Sequence, residues 1–138
     1  MPFAQRFFGP SEGHDWKLII GLKEGYTDGV IHQFQEVVEA HKTWVGMQVA
    51  GSFVPTGTMT ESLLVYAFPQ GGYFNGYGTE PVVIFEGRIH PEFYQETPEE
   101  SVWLQLRSFA EYVGALLNQR RMYIRYAGKE LILESDES

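Results

Sequence analysis

Between residues 97 and 121, apolar side chains return at helical spacing. Val102, Leu106, Phe109, Val113 and Leu117 follow one another at steps of four and three, and Trp103, Ala110 and Leu116 widen the stripe. Such a stripe predicts an amphipathic helix with one face on a core. Thr97 and Glu100 have the spacing of a capping box, with Pro98 at the first helical position. Glu99 and Glu100 suit the positive end of the helix dipole, and Arg120 and Arg121 the negative end.

A second helical pattern runs over residues 30–44. Val30, Phe34, Val37, Val38 and His41 share one side, and His32, Gln35, Glu36 and Glu39 the other. Thr27 or Asp28 is the expected N-cap, and Gly46 the expected end.

Period-two alternation and turn residues mark the strands. They are expected at 16–22, 47–54, 62–68, 82–90, 122–126 and 130–133. A hairpin is expected between 47–54 and 62–68, and another around Gly128. Residues 70–81 hold four glycines, Gly71, Gly72, Gly76 and Gly78, among Tyr73, Phe74, Asn75 and Tyr77. That density of glycine carries a large entropic cost in regular structure, so the segment is expected to be an irregular loop.

The order of elements predicts an α+β fold. It is a two-layer sandwich in which a largely antiparallel sheet carries two helices on one face. The pattern is ferredoxin-like with an extra strand, an architecture that hosts many unrelated functions. Residues 1–15 are expected to form an arm or loop, 16–134 a single domain, and 135–138 an acidic tail. Phe3, Phe7 and Phe8 make the arm too apolar for a solvated segment.

Composition narrows the partners. A net charge of −8 over 138 residues argues against a broad nucleic-acid-binding surface, although Arg120, Arg121, Arg125 and Lys129 cluster. With no cysteine there is no disulfide, thiolate chemistry or cysteine-type zinc site. No apolar run is long enough for a membrane span or a secretion signal, so a cytoplasmic location with no membrane partner is expected. An aromatic fraction of 15% favours self-association, as a homodimer or larger.

With helices over one face only, the other sheet face must meet water or a partner. Glu86, Arg88 and His90 alternate with Val83, Phe85 and Ile89, so they are expected on that open face. Gln48, Ser52 and Arg125 have the same parity on other expected strands. His90 is a candidate general base with Glu86 or Arg88 setting its protonation, and Arg88 a candidate clamp for a small anion. Cross-strand charge pairing on a wet surface accounts for the same pattern. Tyr73, Phe74 and Tyr77 are candidates for stacking on a flat ligand or partner. His32 and Glu36 stand one turn apart but lack further metal ligands, so no metal is expected. No nucleophile elbow, phosphate loop or cofactor motif is present, and no cofactor is expected.

The sequence therefore points first to a non-catalytic ligand-binding or assembly module acting through the open face and residues 70–78. The alternatives are a small enzyme acting on a small anionic molecule with His90, Glu86 and Arg88, and an acidic inhibitor of a basic partner protein.

Overall fold

The computed structural model describes residues 15–24, 29–89 and 97–134. The expected N-terminal arm except Asp15, the Thr27 or Asp28 cap, His90 and the acidic tail lie outside them. The elements are β1 (Asp15–Gly21), α1 (Phe34–Gly46), β2 (Thr58–Gln70), β3 (Tyr73–Arg88), α2 (Glu99–Leu116), β4 (Arg121–Tyr126) and β5 (Lys129–Glu134).

Alternation in β1 sets the layers. Trp16, Leu18 and Ile20 are buried, while Lys17 and Ile19 point the other way and are half-buried. β1 lies between β3 and β4, and the sheet order is β2-β3-β1-β4-β5, with every pairing antiparallel. The fold is thus the ferredoxin-like α+β sandwich with one added edge strand, β5. Both helices cover the face that carries Trp16, Leu18 and Ile20. Their buried stripes are Val37, Ala40 and Trp44 on α1, and Val102, Leu106, Phe109, Ala110 and Val113 on α2. Phe85 and Phe109 meet edge to face with centroids 5.8 Å apart, and His41 stands against both rings while its Nε2 lies 2.8 Å from the Pro55 carbonyl.

Several sequence expectations need correction. Residues 47–54 are not a strand: α1 runs to Gly46, and backbone bonds from Met47, Gln48 and Ser52 close successive turns. Gln48 and Ser52 therefore leave the open sheet face, and Gln48 instead bonds the Trp44 carbonyl and receives a bond from Gln105. α1 starts at Phe34 rather than Val30, because the Glu36 carboxylate caps the Gln33 N–H at 2.6 Å. α2 has Pro98, not Thr97, at its N-cap, with no side-chain cap bond. Leu116 is exposed, and the helix ends before Arg120 and Arg121.

Residues 70–81 are the largest departure. They are regular structure: β2 and β3 form one long hairpin closed by Gly71 and Gly72. Both turn glycines have positive φ, as a two-residue type I′ turn demands. Gly76 and Gly78 face Phe68 and Tyr66 across the ladder, and the two rings lie over the bare glycine backbones. A β-carbon on Gly78 would stand 2.3 Å from the Tyr66 ring, and one on Gly76 would stand 2.4 Å from the Phe68 ring. The glycines are thus room for cross-strand aromatics. Gly87 plays the same part for Trp16 on the helix side.

Candidate functional site

The open face is ordered in rows by the register. Thr58, Glu86, Lys17, Arg125 and Glu130 stand side by side across all five strands. Lys17 pairs with Glu86 at 3.5 Å and Arg125 with Glu130 at 3.6 Å. Arg88 lies one step further along β3, opposite Asp15. These residues line a shallow basin of about 720 Å³. Exposed ion pairs of this kind contribute roughly 0–1 kcal/mol each. The structure thus brings Glu86, Arg88 and Arg125 to one surface, while His90 lies outside the described residues.

The next row, Thr60, Ile84, Ile19, Tyr123 and Ile132, is mostly apolar and separates the basin from a second hollow. That hollow, of about 350 Å³, forms where β1 ends and the β2–β3 hairpin leaves the sheet. Ile19, Gly21 and Val82 make its floor. Leu64 and Tyr66 come from β2, Glu80 from β3, and Tyr123 and Arg121 from β4. Lys23, Gln119 and Arg120 close the rim.

Glu80 is the distinctive group. Burial raises its carboxyl pKa above the ordinary range, against an opposing pull from Lys23. A carboxylate lifted this way inside a concave, aromatic-walled site marks a functional candidate. Gly21 makes the space: a β-carbon there would sit 2.9 Å from Glu80 Oε1 and 2.4 Å from Gln119 Oε1. The rim carries the opposite charge, and Arg121 is tied to Glu134 at 3.1 Å. The hollow therefore offers apolar floor, tyrosine rings, one carboxylate and several cations. That chemistry suits a small molecule bearing an aromatic or apolar body and charges of both signs.

The aromatic candidates separate. Tyr77 has the parity of Val83 and Phe85 and so projects from the face opposite Glu80, whereas the register shifts between Phe68 and Gln70, so the alternation does not carry through to Phe74 and Tyr73. All three are exposed. Sequence reasoning missed Glu80, Tyr66 and Gln119. The available signal was the alternation of Gly76, Gly78 and Glu80, a period of two that the glycine count concealed.

Elsewhere, His32 sits between two carboxylates, with Nδ1 3.1 Å from Glu36 and Nε2 3.1 Å from Glu24. Burial alone would lower its pKa, but the hydrogen bonds and charges of Glu24 and Glu36 outweigh that and raise it. No group of metal ligands occurs among the described residues. No helix among them is long and apolar enough to cross a membrane.

Neither a protein-family model nor a curated protein matches the sequence. Among solved structures, the chain is similar to a phage SAM lyase in complex with S-methyl-5'-thioadenosine, with a TM-score of 0.67 at 14% identity and 99% of each chain covered. It is likewise similar to a phage SAM lyase in the apo state, with a TM-score of 0.64 at 14% identity over 99% of each chain. At this identity the likeness is one of fold.

Proposed function

We propose that the hollow at Glu80 binds S-adenosylmethionine and that the protein cleaves it as a lyase. The observation that carries this reading is the half-buried Glu80 carboxylate in a hollow that Tyr66 and Tyr123 also line. A sulfonium is a cation on an apolar body. Carboxylate and tyrosine faces both attract it, and a partly desolvated site strengthens the attraction. The similar fold of the SAM lyases supports the same substrate class.

The reaction breaks the bond between sulfur and the aminobutyrate carbon. Both electrons pass to sulfur, and neutral S-methyl-5'-thioadenosine leaves. The aminobutyrate fragment completes its valence in one of two ways. Its own carboxylate oxygen closes on the carbon to give a lactone, or a neighbouring C–H proton goes to a base and an alkene forms. We assign that role to Glu80, whose carboxyl pKa burial raises toward the range in which a base is effective.

The test is to incubate the purified chain with S-adenosylmethionine and follow S-methyl-5'-thioadenosine by chromatography and mass spectrometry. The mass of the second product separates lactone from alkene. Glu80→Gln is expected to lower turnover by roughly a hundredfold, as loss of a charge at a developing centre does. Absence of both cleavage and binding by the wild-type chain would sink the reading.

A second reading concerns assembly, and the exposed hairpin favours it. Beyond the end of β1, β2 and β3 form ladder pairs only with each other among the described residues, and Leu63, Val65 and Tyr77 are exposed on one face. We infer that this ribbon docks on a second copy of the chain, because such an apolar surface is rarely left bare. Val65→Lys with Tyr77→Lys is expected to shift the species seen in sedimentation velocity to the monomer. A wild-type chain that is already monomeric at high concentration overturns the assembly.

A further inference from the structure

The end of α2 delivers one more side chain to the hollow. Asn118 adopts a left-handed φ of 53°, and the Asn118 and Gln119 N–H groups return to the Ala115 and Gly114 carbonyls. This is a Schellman closure, and it satisfies carbonyls that the last helical turn leaves open. It also fixes where Gln119 stands. The Gln119 amide nitrogen donates to the Lys23 and Leu117 carbonyls, each at 3.2 Å. Both partners are acceptors, so the nitrogen must face them and Oε1 must face the hollow. There Oε1 converges with Glu80 Oε1 over the bare backbone of Gly21.

Two acceptor oxygens aimed at one place call for a group that donates twice. Among the described residues no hydrogen bond reaches either oxygen. Lys23 and Arg120 line the same rim and suit a carboxylate. Paired acceptors beside cations are the complement of an α-amino acid head group, which carries ammonium and carboxylate on one carbon.

Resting on the reading proposed above, we infer that Gln119 is a specificity-determining residue that, with Glu80, receives the α-ammonium of the ligand's amino-acid end. Through it the protein holds the intact substrate more tightly than S-methyl-5'-thioadenosine, which lacks that end. A product without the head group then leaves a site that no longer grips it.

The experiment is calorimetric titration of the full chain with S-adenosylhomocysteine, a thioether that keeps the head group. The other ligands are S-methyl-5'-thioadenosine, a deaminated 2-oxo analogue of S-adenosylhomocysteine, and S-inosylhomocysteine, whose purine amine is replaced by a carbonyl. The wild-type chain is expected to bind S-adenosylhomocysteine at least about tenfold more tightly than the deaminated analogue, the scale of a hydrogen bond to a charged group. Gln119→Met is expected to remove about tenfold of affinity for S-adenosylhomocysteine and to leave S-methyl-5'-thioadenosine within about twofold. Equal loss for both ligands makes Gln119 a structural tie only and overturns the inference. A loss that follows the purine amine instead also overturns it. The wild-type comparison of the two head groups needs no variant, so poor folding of Gln119→Met leaves the inference testable. If the wild-type chain binds none of these ligands, the lyase reading falls with it. If it binds intact and deaminated ligands alike, the inference falls alone.

Discussion

The inner and outer halves of β3 belong to one strand but not to one environment. From Val82 to Glu86 the strand runs between β1 and β2, with Val83 and Phe85 buried beneath the helices. From Tyr73 to Glu80 its ladder partners among the described residues are those of β2, and Tyr73, Phe74 and Tyr77 are exposed. The inner half is held by tertiary packing. The outer half is held by ladder bonds and by cross-strand pairs worth roughly 0.2–1 kcal/mol each. A two-stranded ribbon is marginal by itself in water. Glu80 stands at the junction, where the Leu22 N–H makes its bond to the Pro81 carbonyl and β1 turns away. The candidate site thus lies where a rigid floor meets an exposed wall. A firm floor fixes geometry, and an exposed wall leaves an entry.

The sharpest way to break this contrast is a pair of aromatic truncations on the same strand. Phe85 touches Trp16, His41 and Phe109. Phe85→Ala is expected to cost about 3–5 kcal/mol through the cavity it leaves. Tyr77→Ala, in the ribbon opposite Ala67, is expected to cost no more than about 0.5 kcal/mol. Urea unfolding of both variants measures the difference, and equal costs would mean that the ribbon is packed as tightly as the body.

A smaller effect is expected at the junction. A carboxyl raised by burial disfavours the folded state when it is charged, so the native chain gains stability as pH falls through the Glu80 pKa. Glu80→Gln removes that penalty. It is expected to stabilise the fold modestly near neutral pH, with the gain vanishing in acid, even as binding is lost. A destabilised Glu80→Gln variant at pH 7 would show that the charge supports the fold and is not held against it.

The smallest effect tests the segment that follows β1, where His32 ties Glu24 to the start of α1. Its folded pKa is raised above the unfolded value. The stabilisation is therefore full below the unfolded pKa and fades as pH rises through the folded one. His32→Gln is expected to lower the melting temperature more at pH 5.5 than at pH 8.5, and a difference that grows with pH would contradict the bridge.

Much of the layer arrangement was legible in the chain. The spacing of Val102, Leu106, Phe109 and Val113, and the alternation of Trp16, Leu18 and Ile20, report directly which side of each element meets the core. The parity that put Glu86 and Arg88 on the open face was legible for the same reason. Residues 47–54 misled because a run of turns after a helix can mimic strand alternation over a few positions. The site itself was hidden. Gly76 and Gly78 look like loop formers until Phe68 and Tyr66 are known to lie above them.

What the sequence determined by itself was periodicity, and periodicity is local: it needs only the geometry of one helix or strand and the aversion of apolar groups to water. What the tertiary structure alone decided was proximity. Glu80, Gln119 and Gly21 come from three distant parts of the chain and meet only because β3 crosses beside β1 and the last turn of α2 folds back onto both. No spacing along the chain encodes that meeting, since it depends on sheet order and register, which are set by packing between elements.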